Sequence, residues 1–162
     1  MFVIREPNSA KAASFVDWRS TDQYMRQILE QEIVRHNLGM GVIFIAEAEE
    51  NENIVGTAQF VSYHSDRELA NGITIGCLQG LEVCPKYRQR GIATCLIARV
   101  EQEALSKNFQ RLSVMVEPNN IPAFNLYQKL GFQEFKRSID CWQDRQYPVV
   151  CLSKQILNNK YA

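Results

Sequence analysis

The residues of this chain best suited to gripping an anion lie in one run, Arg88-Gln89-Arg90-Gly91-Ile92-Ala93-Thr94. It follows an apolar stretch ending at Val83 and a short connection containing Pro85, and it opens a segment of helical periodicity. A helix start leaves its first N–H groups unpaired and carries partial positive charge. A phosphate answers both, with negative charge and several acceptors. Gly91 and Ala93 are small enough to let a ligand approach the backbone, and Arg88 and Arg90 add cationic donors. An ordinary helix start with solvated arginines explains the same residues equally well on physics alone. No G-x-x-x-x-G-K-S/T occurs, which argues against a P-loop triphosphatase, and no G-x-G-x-x-G follows a strand, which argues against a dinucleotide-binding unit.

A second run, Asn120-Ile121-Pro122-Ala123-Phe124-Asn125-Leu126-Tyr127-Gln128-Lys129-Leu130-Gly131-Phe132, has the marks of a short helix. Asn120 suits the N-cap, Pro122 the first turn and Gly131 the left-handed residue after the end. Tyr127 shares a face with Ala123 and Leu130, which is enough to explain a packed tyrosine. Cys84 and Cys95 flank the first run. A nucleophilic cysteine needs a partner base, and His36 and His64 are remote in sequence and lie in no motif. Both cysteines are read as small buried hydrophobes. No histidine or cysteine has metal-ligand spacing, so no metal is expected.

Several elements must position these groups. Ile73 to Val83 reads as a strand interrupted by Gly76 and Gly80, where glycine marks a bulge or a close backbone approach. From about Arg90 to Ser106, Ile92, Leu96, Ile97, Val100 and Ala104 form one apolar helical face. Phe2 to Glu6 is short and β-like. Ser20-Thr21-Asp22-Gln23 reads as a capping box, with Ser20 as N-cap of a helix that runs to about His36 and stops at Asn37-Leu38-Gly39. Val42 to Ala46 and Ile54 to Val61 read as a hairpin with an acidic, solvated tip from Glu47 to Asn53. Tyr63 to Gly72 is a polar loop. Leu112 to Val116, Phe132 to Asp140 and Tyr147 to Ser153 are the later strands, with Pro148 near the start or edge of the last. The order is strand, helices, three strands, helix, strand, helix, two strands, a mixed α/β sheet with helices on its faces. At 162 residues, a single domain over 1–162 is expected.

Arg88 to Ala93 fits R-x-x-G-x-A, and Asn120 to Phe132 fits N-x-x-A-x-x-L-Y-x-K-x-G-F. In this order, each at a strand-to-helix junction, the two resemble the acyl-CoA signature of the GCN5-related N-acetyltransferase (GNAT) family, over about Ile73 to Asp140. The resemblance implies the GNAT fold: one α/β domain, a mixed and mostly antiparallel sheet with a splayed central parallel strand pair, and helices on both faces. It makes the strands ending at Val83 and Val116 that pair, with the pantetheine of acetyl-CoA in the gap. Backbone at Leu81 and Val83 would hold the pantetheine, the Arg88–Thr94 run the pyrophosphate, and Asn120 the pantetheine arm while also capping its helix. Tyr127 matches the position that protonates the leaving thiolate when an amine attacks the thioester directly. Some members carry a basic Glu on the strand before the Asn, where this chain has Met115. Glu82 is then the first candidate base, with Glu117 and a water-mediated route left open. Glu82 alternates with Leu81 and Val83 and so faces away from them, and a salt-bridged strand carboxylate explains it as well.

The function implied is an acyl-CoA-dependent N-acyltransferase that moves acetyl from acetyl-CoA to a primary amine, on a small molecule or a protein. A non-catalytic acyl-CoA-binding or sensor module of the same fold is the alternative. A toxin-like or tRNA-directed transferase is a third reading, and zero net charge speaks against its nucleic-acid substrate. No apolar stretch reaches membrane-spanning length, so no membrane partner is expected. Met1-Phe2-Val3-Ile4-Arg5-Glu6 lacks a basic start and apolar run, and the five cysteines are odd in number without C-x-x-C spacing. Reduced thiols in a cytoplasmic protein are expected. A homodimer is compatible with the sequence, and the acceptor amine is not legible in it.

Overall fold

Asn8 and Asp22 start the two helices that the chain lays down first. Asn8 Oδ1 accepts the Lys11 N–H at 2.9 Å and Asp22 Oδ1 the Met25 N–H at 3.0 Å, each satisfying one orphan donor of a first turn. The computed structural model, which describes residues 1–156, runs β1 (Phe2–Arg5), α1 (Ser9–Arg19), α2 (Gln23–Asn37), β2 (Gly41–Ala48), β3 (Ile54–Val61), β4 (Ile75–Val83), a 3-10 turn (Pro85–Tyr87), α3 (Ile92–Ser106), β5 (Arg111–Val116), α4 (Ile121–Lys129), β6 (Gln133–Trp142) and β7 (Arg145–Gln155). Residues 157–162, part of the expected domain, lie outside the described residues. The sheet is mixed, mostly antiparallel with one parallel pair. The chain groups into two compact units, Met1–Val61 with Leu78–Glu103, and Ser62–Cys77 with the chain from Ala104 onward.

In the first unit the strand order is β1-β2-β3-β4. β2 is buried along its whole length and β3 nearly so, the pattern of strands covered on both faces. Phe15, Val16 and Leu29 from the helices pack with Ile43, Ile45 and Ile54, and Trp18, Met25 and Ile33 lie against them. Each such fully buried side chain contributes about 1.5–3 kcal/mol. The expected capping box is displaced by two residues. Ser20 is the C-cap of α1, and its Oγ accepts the Asp22 N–H at 3.0 Å, while Asp22 caps α2. α2 stops where expected, with Gly39 left-handed at φ +74°.

Glu47 departs from the solvated tip expected for it. β2 continues through a register shift at Ala46/Glu47, which turns the carboxylate inward. Its side chain is 3% exposed and pairs with Arg5 at 3.2 Å and Lys11 at 3.6 Å. Burial this deep is tolerated because opposite charge accompanies the carboxylate.

In the second unit the opening residues of β4 precede β5, β7 and β6 in that order. β5 pairs antiparallel with β7, and β7 with β6. Pro148 stands opposite Ile139 and outside the Val150–Gln155 stretch that pairs with β5, so its missing N–H interrupts no ladder there. The loop before β4 is tied down twice. Asn71 Oδ1 accepts the N–H groups of Ile73, Thr74 and Ile75 at 3.0, 2.8 and 3.0 Å. Lys136 Nζ on β6 meets Asp66 at 2.5 Å and Glu68 at 3.1 Å.

Candidate functional site

After β4 the chain makes the 3-10 turn Pro85–Tyr87, and Arg88 resumes an extended conformation. Gln89 and Gly91 are both left-handed, at φ +61° and +81°. The first backbone bond closing α3 runs from the Cys95 N–H to the Gly91 carbonyl at 3.0 Å. Among the described residues, the amides from Gln89 to Thr94 donate to no backbone carbonyl. A run of open N–H groups with left-handed residues, at the positive end of a helix, is the construction of an anion-binding nest. A Cβ built on Gly91 would meet nothing within 4 Å, so glycine stands there for its φ rather than for room.

The arginines of the run are held by the loop itself. Arg88 Nε donates to the Val83 carbonyl at 3.1 Å. The Arg90 guanidinium sits 5.0 Å over the Tyr87 ring, and the Tyr87 hydroxyl donates to Glu50 Oε1 at 3.1 Å. Backbone hydrogen bonding and then this tyrosine bond keep Glu50 below the usual carboxylate range. Ile92 is buried and seats the start of α3 against β3 at Gly56. A Cβ on Gly56 would stand 3.1 Å from Ile92 Cγ2, 3.2 Å from Leu96 Cδ1 and 3.2 Å from the Glu82 carbonyl. The arrangement fits a pyrophosphate: open amides, a helix start and two tethered guanidinium groups.

β4 reaches this loop through Gly80, left-handed at φ +61° inside the strand, as in a glycine bulge. The Gly80 carbonyl accepts the Thr57 hydroxyl at 3.1 Å. A Cβ on Gly80 would lie 3.0 Å from Gln59 Nε2, which donates to Glu32 at 2.8 Å. Past the bulge Leu81 and Val83 are half-buried and Glu82 is exposed, the alternation expected. Glu82 Oε2 is 2.6 Å from Arg19 Nη1.

The second unit holds the other group of expected residues. Asn120 is the N-cap of α4, its Oδ1 accepting the Ala123 N–H at 3.3 Å. Tyr127 is buried at 4% exposure, edge-on to Phe132 with ring centroids 5.6 Å apart. Burial, and then the Cys77 thiol, push its phenol well above the ordinary tyrosine range. Met115 is half-buried in β5 and Glu117 is exposed just beyond it. The Tyr147 hydroxyl donates to Asp140 at 2.9 Å, and burial followed by this bond raises Tyr147 to about 12.

Cys84 is half-buried and Cys95 exposed, so neither is the buried hydrophobe expected. Cys95 falls outside the apolar stripe of α3, whose buried positions are Ile92, Leu96, Ile97, Val100 and Ala104. Arg19, Thr57, Gln59 and Tyr87 join the site without having been singled out in the sequence, and Glu50, expected only as part of a solvated tip, joins it through Tyr87. Tyr87 stands beside the signature and could have been read as part of it. The others reach their partners from far along the chain and carry no local signal. Among the described residues no three His, Cys, Asp or Glu side chains gather as metal ligands, and no helix is long and apolar enough to cross a membrane.

The family model described as "Acetyltransferase (GNAT) family" matches residues 8–132. An aminoglycoside N(6')-acetyltransferase type 1 of Salmonella typhimurium is 37% identical over 62 residues, 38% of this chain, and the chain spans 43% of that relative's length. Solved structures share the fold, two of which illustrate it. The yncA protein of Salmonella typhimurium, solved with its cofactor acetyl-CoA, superposes with a TM-score of 0.77 at 17% identity, over 100% of this chain and 98% of its own. An N-acetyltransferase of Staphylococcus aureus Mu50 gives 0.77 at 16% identity, over 97% and 99%. With the phosphate-loop signature standing at a helix start of the required form, and the family model covering most of the chain, the protein belongs to the GNAT acetyltransferase family.

Proposed function

We propose that this chain is an acyl-CoA-dependent N-acyltransferase, one domain over 1–162, that moves acetyl from acetyl-CoA to a primary amine. The Arg88–Thr94 loop carries the reading, because its open amides and left-handed residues fit the pyrophosphate of that co-substrate. Leu81 and Val83 hold the pantetheine through their backbone, and Asn120 holds its arm. Glu82 takes the proton that makes the amine a nucleophile. Strand N–H groups stabilise the oxyanion. Tyr127 protonates the departing thiolate, whose ordinary pKa is near ~8.5. Burial raises the Tyr127 phenol, so the group carries its proton near neutral pH, as a donor must. The odd cysteine count without C-x-x-C spacing supports a reducing, cytoplasmic setting.

Thiol release from acetyl-CoA against a panel of amines is the test, and the aminoglycoside relative puts aminoglycosides first in that panel. Release that depends on both co-substrate and one amine is the expected result. Binding of acetyl-CoA without release from any amine would favour the sensor module.

A further inference from the structure

Arg19 is the last residue of α1, and one of its nitrogens does two things. Nη1 donates to Glu82 Oε2 at 2.6 Å and to the Gly80 carbonyl at 3.5 Å. That carbonyl belongs to the left-handed residue of β4 and also accepts the Thr57 hydroxyl. Gln59 fills the space beside Gly80 and is itself held by Glu32. Groups from α1 and β3, one of them held by α2, therefore converge on Gly80 and Glu82 of β4.

Stability explains this arginine poorly. Its side chain is 15% exposed, and its Nε is buried without a hydrogen-bond partner. A buried donor left unpaired is destabilising, and an apolar chain of similar length fills such space without that penalty. Glu82 is half-exposed, so solvent screens the ion pair and little stability comes from it. What the guanidinium does achieve is geometric. Its Nη1 links Glu82 Oε2 to the Gly80 carbonyl, so the carboxylate is fixed through one oxygen and Oε1 is the one left to take a proton.

We propose that Arg19 is a positioning residue for Glu82, holding Oε1 at the acceptor amine while the amine's N–H bond breaks and an O–H bond forms on the carboxylate. The proposal rests on the acyl-transfer reading and on Glu82 as base. Arg19→Met, Arg19→Lys, Glu82→Gln and the Arg19→Met/Glu82→Gln double variant test it, with the amine that the thiol-release panel returns. Arg19→Met is expected to lower kcat about tenfold or more, leaving the KM for acetyl-CoA within about twofold. Its Tm should hold or rise. Arg19→Lys, which keeps the charge and a donor, should recover part of the rate. The double variant should be no slower than Glu82→Gln alone, since both lesions remove one function.

An unchanged kcat in Arg19→Met overturns the proposal, as do losses that multiply in the double variant. So does a fall in Tm, or a failure to fold, that Arg19→Lys shares, since the arginine would then be structural. Those outcomes leave the wild-type reaction intact. Absence of transfer by the wild type to any amine would instead overturn the acyl-transfer reading and this proposal with it.

Discussion

Replacing Gly91 by alanine isolates what the left-handed loop contributes to coenzyme binding. Space is no obstacle, because an added Cβ meets nothing within 4 Å. The whole effect is then conformational. At φ +81° a residue with a Cβ is disfavoured by about 1–2 kcal/mol. If the loop keeps its shape, that sum is lost from folding stability. If the loop relaxes and must be restored on binding, it is lost from coenzyme affinity, where about 1.4 kcal/mol is a factor of ten, so the full effect is roughly five- to thirtyfold. Urea unfolding and calorimetric titration with coenzyme A, on wild type and Gly91→Ala together, should give losses that sum to this range. Gly91→Asn is the control, since asparagine visits the left-handed region more readily than alanine. It should do less damage despite its larger side chain. Wild-type values for Gly91→Ala in both measurements would refute the reasoning. So would an asparagine variant weaker than the alanine one, which would make volume rather than backbone angle the cause.

Tyr127→Phe should keep coenzyme affinity by calorimetry and lower kcat by about 10²–10⁴, the usual contribution of a general acid; wild-type turnover across the pH range would remove Tyr127 from that role. Because burial raises the Tyr127 phenol above its ordinary range, the wild-type rate should show no alkaline loss from this group up to its ordinary pKa, about 10, which a pH–rate profile checks. Gly56→Ala should cost about 1–3 kcal/mol in urea unfolding, because its Cβ would press on Ile92, Leu96 and the Glu82 carbonyl together. Lys136→Met should remove about 1 kcal/mol near neutral pH. The sign follows from the two shifts. Its hydrogen bond to Lys136 lowers Asp66, so that stability is present above the unfolded carboxylate value of about 3.9 and lost as pH falls through the lowered one; Asp66 raises Lys136, so its share is present below about 10.4 and lost as pH rises through the raised value. Unfolding midpoints against pH should therefore be flatter at both ends in the variant.

The two motif runs were legible because each is a local device. Asn120 caps the helix it begins, Gly131 ends it with φ +96°, and β3 occupies the expected Ile54–Val61. α1 was not delineated, because only Phe15 and Val16 of its eleven residues are buried and such a sequence shows no stripe. Ser20 and Asp22 are both good caps two residues apart, and the sequence alone could not say which one α2 would use. Glu47 looked like a member of an acidic turn, yet the register shift in β2 and the distant Arg5 and Lys11 draw it inside. The same limit hid Arg19. Its partners lie on β4, and a pairing across that much sequence is set by the folded topology rather than by any neighbouring residue.

β2 also carries a hazard that β1 contains. Val42-Ile43-Phe44-Ile45-Ala46 has no charge, no proline and no glycine, the composition of a segment that zips onto copies of itself when its edge is bare. β1 covers that edge only from Ile45 to Ala48, placing the charged Arg5 opposite Ile45, and His36 Nδ1 accepts the Ile43 N–H at 3.1 Å just beyond. Four residues and one imidazole thus stand between an apolar strand and aggregation. Shortening the chain at its amino end would bare this strand edge as a template, even though none of the residues removed belongs to the coenzyme loop.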